Sequence, residues 1–189
     1  MYYNLQVHSA YDLLNSTIKY ESLFLKLARD NQKSVVIVDP NMYGAIKAHK
    51  ESKKAGINLI QGLEVNLGYG IGFLKFNILC KSEKMFYKLL EISTKFMNGE
   101  EWTVENFSSE MKEYSDDFVL IVVDELRDSM EFSYLNNLFS NYDFYFGFNE
   151  SFQVSPYSFY ENVVYTKPSF YLNKENYQQV IVSRAIRDN

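Results

Sequence analysis

The sequence predicts an α/β fold, a single domain over residues 1–189 built as a distorted seven-stranded barrel. Three observations carry that expectation. Apolar runs of strand length alternate with amphipathic runs at helical spacing from one end of the chain to the other. The links between most successive apolar runs are helical, and seven strands joined in this way favour a barrel over an open sheet. A length of 189 residues with 47% hydrophobic content suits one domain with a full core.

Taken in order, Leu5–His8 is the first predicted strand, and Ile18–Arg29 the first helix, with Leu23, Phe24, Leu27 and Ala28 at helical spacing. Ser16 or Thr17 could cap it. Ser34–Asp39 is a short β-branched run ending in a carboxylate, as a buried parallel strand should look. Tyr43–Ala55 is the second helix, stopped by Gly56, and Asn58–Val65 the third strand. The run Gly68-Tyr69-Gly70-Ile71-Gly72 reads as a hairpin or flexible turn. Its glycine spacing is a poor phosphate loop, because no Lys-Ser/Thr follows and the next run is a strand rather than a helix N-terminus. Phe73–Leu79 is the fourth strand, and Glu83–Phe96 a helix with Met85, Phe86, Leu89, Leu90 and Ile92 on its apolar face. Thr103–Tyr114 forms a helical or irregular excursion. Phe118–Val123 is the fifth strand, Met130–Phe139 a helix, Asp143–Phe148 the sixth strand, Asn162–Thr166 the seventh and Lys174–Ile186 the closing helix.

Composition limits the function classes. A net charge of −5 argues against a surface that grips nucleic acid by itself, since phosphate binding demands clustered Lys and Arg. Little DNA binding at physiological salt is expected, and micromolar or tighter affinity for primed DNA in a fluorescence titration would contradict this. The aromatic content of 17% is read as core rather than as stacking platforms, because the rings lie inside strand-like and helix-like runs without interleaved basic residues. The single cysteine, Cys80, excludes an internal disulfide framework and points to a reducing cytoplasm; Cys80 itself is expected to be a small core residue. No basic n-region, long apolar run or transmembrane segment is evident, so a soluble, untargeted chain without membrane contact is expected.

The polar groups with chemical potential gather at strand ends. His8, Ser9 and Asp12 follow the first strand, Asp39 ends the second and Glu64 lies at the end of the third. In β/α proteins chemistry sits at such C-terminal ends. Four stretches then support a specific resemblance: Gln6-Val7-His8-Ser9-Ala10-Tyr11-Asp12-Leu13-Leu14, Val38-Asp39-Pro40-Asn41-Met42-Tyr43-Gly44-Ala45, Lys53-Lys54-Ala55-Gly56-Ile57 and Gly62-Leu63-Glu64-Val65. Together they resemble the polymerase and histidinol phosphatase (PHP) domain, in the version that opens the bacterial DNA polymerase III alpha subunit. Leu79-Cys80-Lys81-Ser82-Glu83 and Ala185-Ile186-Arg187-Asp188-Asn189 resemble two further runs of that domain, so the resemblance spans nearly the whole chain.

The resemblance implies a barrel that, in active members, carries up to three metal ions for phosphoester hydrolysis through metal-activated water. It also implies that most of the ligands are lost here. Gln6 stands at the first histidine position, Asn15 at an aspartate position and Pro40 where a histidine follows the strand-two aspartate. Lys75 falls at the strand-four histidine position, where its ammonium would repel a metal. Gly147 falls at the strand-six acidic position, and Pro168 and Phe170 lie in the run that should read Asn-Asp-x-His. His8, Asp39 and Glu64 remain as vestigial positions. No catalytic residue, bound metal or cofactor is therefore expected in this domain, and Phe170, Pro168 and Lys75 are expected to fill part of the old cavity.

The expected function is that of a metal-free, structural domain of a much larger DNA polymerase III alpha chain, a DNA-directed DNA polymerase of bacterial replication. The parent's nucleotidyl transfer would use Mg on carboxylates elsewhere. The remaining domains of that chain are the expected partners, with other replisome or exonuclease subunits as further ones. The alternative is a stand-alone phosphoesterase holding one divalent metal on His8, Asp39 and Glu64, an acceptable ligand trio. Against it stands a hydrogen-bonded relic in which Gln6 and Asn15 supply neutral partners. The other polar residues have plain readings. His49 is a surface residue beside Lys47 and Lys50, Asp124 and Glu125 lie on a solvated loop, and Asp116 and Asp117 precede the fifth strand at the wrong end for a site. Two histidines leave no Ser-His-Asp or Cys-His arrangement to propose.

Overall fold

A computed structural model of the chain describes residues 4–124, 126, 129–149 and 161–188. Glu125 and Asn189 thus lie outside the described residues. The chain divides into two compact units, residues 1–63 with 168–189, and residues 64–167.

In the first unit, helix α1 (Tyr20–Arg29) leads into strand β1 (Ser34–Asp39), and helix α2 (Ala45–Ala55) leads into strand β2 (Asn58–Tyr69). β1 and β2 pair in parallel from Ser34↔Asn58 to Asp39↔Leu63, the pairing a helical crossover permits. Gly56 ends α2 in the left-handed region at φ 65°, where a residue without Cβ carries no steric penalty. The core joins Val7, Ile18, Leu23, Phe24, Val35, Ile37, Ala48 and Ile57. Helix α6 (Tyr177–Arg187) belongs to this unit and buries Val180, while Ile181, Val182 and Ile186 are exposed.

The first predicted strand is corrected. Leu5–His8 does not form a ladder: Val7 alone makes isolated parallel bridges, to Ile37 and to Ser169. Side chains take the amides on either side. The Gln6 amide donates to Asn4 Oδ1 at 2.8 Å, and the Ser9 amide to Asp39 Oδ1 at 2.6 Å, so only a short span stays available to strand neighbours. Ser16 and Thr17 do not cap α1 either. The Ser16 hydroxyl donates to the His8 carbonyl at 2.6 Å, and Lys19 holds the N-cap position without a side-chain bond.

In the second unit, β2 runs on to Tyr69 and turns through Gly70 and Ile71 into strand β3 (Gly72–Cys80). A link of this length permits only an antiparallel hairpin, and Gly70, at φ 57°, supplies the left-handed residue. Helix α3 (Glu83–Met97) is capped by Ser82, whose Oγ accepts from the Met85 amide at 3.1 Å. Thr103 caps helix α4 (Val104–Glu110) in the same way. Strand β4 (Phe118–Val122) pairs antiparallel with β3; helix α5 (Ser129–Leu138), strand β5 (Asp143–Phe148) and strand β6 (Val163–Tyr165) follow, β4, β5 and β6 pairing in parallel.

Among the described residues the sheet therefore has six strands, hydrogen-bonded in chain order. The first predicted strand is reduced to the Val7 bridges, and among the described residues no ladder closes β6 onto β1, so a closed seven-stranded barrel gives way to a six-stranded sheet. Part of the aromatic content forms core, with Phe24, Phe76, Phe107, Phe118 and Phe139 fully buried, whereas Tyr43, Phe73, Tyr87 and Tyr177 are exposed. Cys80 is only half-buried, its thiol donating to the Ser82 carbonyl at 2.9 Å. Lys88 is an unforeseen buried residue on the inner face of α3; its ammonium lies 2.8 Å from Glu110 and 3.2 Å from Glu91. Among the described residues no helix is long and apolar enough to cross a membrane.

Candidate functional site

In the first unit the strand ends bring together His8, Ser9, Asp12, Asn15, Asp39 and Phe170. Asp39 ends β1 and is 1% exposed. Its Oδ1 accepts the Ser9 amide at 2.6 Å; its Oδ2 accepts the Ser9 hydroxyl at 2.5 Å and the Tyr20 hydroxyl at 3.2 Å. Both carboxylate oxygens are thus committed to protein donors, as a buried carboxylate must be. Burial pushes the Asp39 carboxyl above the ordinary range, with the Ser9 hydrogen bonds and the nearby His8 opposing that shift. Burial and the Asp39 charge likewise push the Tyr20 hydroxyl well up.

His8 is also buried, with Nδ1 3.1 Å from the Asp12 carboxylate. The Asn15 side-chain amide donates to Asp12 Oδ1 at 2.9 Å and so orients the histidine's partner. Phe170 stacks on the imidazole, with ring centroids 4.6 Å apart and planes 23° from parallel. Arg184 lies 4.3 Å from the Phe170 centroid, and Arg187 donates to Asn15 Oδ1. Gln6 is buried, Pro168 half-buried and Pro40 exposed. Neither proline offers a donor atom for a metal.

In the second unit Glu64 and Lys75 form an ion pair, with Nζ 3.3 Å from Oε1. The lysine expected to repel a metal thus supplies a positive charge to the Glu64 carboxylate. The Lys75 amide donates to Asp124 Oδ2 at 2.7 Å, so Asp124 holds the edge of β3 instead of lying in a solvated loop. Gly147 is buried, and a Cβ built on it would lie 2.8 Å from Thr166 Oγ1 and 2.9 Å from the Val122 carbonyl oxygen. No acidic side chain has room there. His49 is exposed on α2, as expected. Asp116 is exposed, and Asp117 lies 3.7 Å from Lys84.

Sequence reasoning missed Asp12, Ser9 and Tyr20 as the groups that engage His8 and Asp39. The i, i+4 spacing of His8 and Asp12 was the available signal. The residues present do not fit a divalent ion. Asp39 is committed to Ser9 and Tyr20, the His8 imidazole is set between Asp12 and Phe170, and Glu64 faces an ammonium. Among the described residues no group of three or more His, Cys, Asp or Glu side chains is placed to hold a metal.

The raised Asp39 carboxyl has a consequence for pH dependence. A folded-state value above the unfolded one contributes stability that is fully present below the ordinary carboxylate range and is lost as pH rises through the folded value. Asp39→Asn removes that titration. The wild type should therefore lose stability relative to Asp39→Asn as pH rises from about 4, measured by urea unfolding at each pH. A wild type that instead gains on the variant over this range would contradict the burial argument.

The PHP domain family matches residues 4–132, and the chain belongs to that family. It is homologous to the DNA polymerase III alpha subunits of several bacteria. It is 34% identical to that of Mycoplasma genitalium over 93 residues, 49% of this chain and 11% of that protein. To the Bacillus subtilis subunit it is 38% identical over 95 residues, 48% of this chain and 8% of that protein. With a Staphylococcus epidermidis subunit the match covers 98% of this chain and 17% of that protein, at 25% identity. The chain thus spans a small fraction of the length of these curated relatives. Among solved structures, an amidohydrolase from Chromobacterium violaceum, with sulfate bound and no metal, superposes with a TM-score of 0.61 at 9% identity, covering 95% of this chain and 96% of that one. A two-domain protein from Bacteroides vulgatus containing a predicted PHP-like metal-dependent phosphoesterase gives 0.59 at 12% identity, covering 89% of this chain and 51% of that one. These likenesses speak to the fold.

Proposed function

We propose that this PHP domain is a metal-free structural part of a bacterial DNA polymerase III alpha chain, working in the cytoplasm. The observation that carries the reading is the engagement of His8, Asp39 and Glu64 by Asp12, Ser9, Tyr20 and Lys75. A carboxylate or imidazole already satisfied in this way must lose those partners before it can bind a metal, and a carboxylate facing an ammonium has its charge countered. The domain itself then carries out no hydrolysis. DNA synthesis, with Mg as its cofactor, belongs to the rest of the longer chain. The exposed Ile181, Val182 and Ile186 on α6 favour packing against another body, the remaining polymerase domains being the first candidates and other replisome or exonuclease subunits the next.

A stand-alone phosphoesterase using His8, Asp39 and Glu64 with one metal is the competing reading, favoured by the fold likeness to a predicted phosphoesterase. Hydrolysis of an aryl phosphate with added Mn or Zn separates the two. The structural reading expects no turnover above buffer; turnover abolished by His8→Ala would establish the alternative. The coding sequence supplies the second test. An open frame continuing into a polymerase with paired aspartates is expected, and a stop codon directly after Asn189 would contradict the parent function.

A further inference from the structure

The net charge of −5 conceals a segregation. The first unit carries eleven Lys and Arg against seven Asp and Glu, whereas the second carries eight against seventeen. Within the first unit the excess collects where α1 and α2 end. Gly56, which closes α2, returns its amide to the Lys53 carbonyl, and Asn58, two residues on, donates to the Lys33 carbonyl at 2.8 Å. Lys33 in turn follows closely on Arg29, the last residue of α1, and the two helices pack together. The helix ends, with Arg29, Lys33 and Lys53, therefore converge at the amino ends of β1 and β2, away from the polar groups around Asp39, and Lys50 lies about one turn before Lys53 on the same face of α2.

All four of those side chains are exposed. The carboxylates nearby in sequence are already matched to other cations: Asp30 to Lys26 at 3.1 Å and Glu51 to Lys54 at 2.6 Å. Helix-dipole compensation explains a lysine or two at the end of α2. It does not explain Lys33, which lies outside both helices.

We propose that Arg29, Lys33, Lys50 and Lys53 form a contact surface for the phosphate backbone of nucleic acid. The choice of nucleic acid over another polyanion rests on the polymerase reading above. The contact is electrostatic and sequence-independent, because exposed ammonium and guanidinium groups reach phosphate oxygens, which carry no sequence information. With four phosphates at most, it is weak at physiological salt and acts as one contact among many made by a longer chain.

Fluorescence anisotropy of a labelled oligonucleotide with this chain tests the surface. Binding is expected at about 50 mM salt and should weaken roughly 40- to 150-fold by 200 mM, the dependence for three to four phosphate contacts. Lys50→Gln with Lys53→Gln should weaken binding about tenfold or more and halve the salt slope. Lys33→Gln provides a second variant, lowering the slope by about one. Lys81→Gln with Lys84→Gln, in the acidic unit, should change nothing. Absence of binding at low salt, or binding indifferent to the first-unit variants, overturns the proposal. So does equal competition by polyglutamate, which would mark the surface as one for acidic protein. Failure of the polymerase reading would show separately, as a stop codon or as turnover of an aryl phosphate.

Discussion

Phe139→Ala is expected to cost about 3–5 kcal/mol of stability, the range for truncating a buried aromatic residue in a core that relaxes only partly. Phe139 follows α5 and is 0% exposed. Its ring lies 5.9 Å from Phe76, 6.3 Å from Phe107, 5.7 Å from Tyr142 and 5.1 Å from Phe144, centroid to centroid. These neighbours come from β3, α4, the approach to β5 and β5 itself, so one cavity loosens four segments of the second unit. Typical domain stability is only about 5–15 kcal/mol, which leaves the variant close to the unfolding threshold. Urea unfolding should show the midpoint falling steeply. A loss below about 1 kcal/mol would mean that the aromatic cluster repacks and does not organise this unit.

Gly147→Asp is the second large effect, and it bears on function. The substitution restores an acid where the family resemblance places one, yet the backbone at this point of β5 is packed against Thr166 and the Val122 carbonyl. A side chain there must displace backbone, at about 1–3 kcal/mol for overpacking, with the burial of a carboxylate among a carbonyl and apolar atoms adding to it. A loss of about 3 kcal/mol or more is expected in thermal or urea unfolding, without any gain of metal affinity. A stable Gly147→Asp chain that binds Mn would contradict both the packing argument and the metal-free reading.

Much of the fold was legible because periodicity and turn chemistry agreed. The β-branched run Val35–Val38, the Gly56 stop and the Gly70 turn each point to one local structure, and each is found. Where sequence reasoning failed, a side chain had taken a backbone group from its expected partner. Ser9 gives its amide to Asp39, which cuts the first strand to a bridge, and Ser16 turns to the His8 carbonyl instead of capping α1. Such choices depend on residues distant in sequence, beyond the reach of any local pattern.

The candidate site was legible in the same uneven way. His8, Asp39 and Glu64 could be singled out because periodicity places them at strand ends, although β2 runs five residues past Glu64, but what engages them could not. The Lys75–Glu64 pair joins two strands of a hairpin, and the Phe170–His8 stack joins residues at opposite ends of the chain. Lys88 illustrates the same limit from the core side. Its aliphatic stem fits the apolar face of α3 while its ammonium reaches two carboxylates, a pattern that hydropathy alone scores as surface.

Metal stoichiometry of the purified chain is the most direct test of the central claim. Elemental analysis after dialysis against Zn, Mn or Mg, followed by buffer wash, should find no stoichiometric metal, and chelator should leave the thermal midpoint unchanged. One equivalent of Zn or Mn per chain, lost in His8→Ala and lowering the midpoint when chelated, would contradict it.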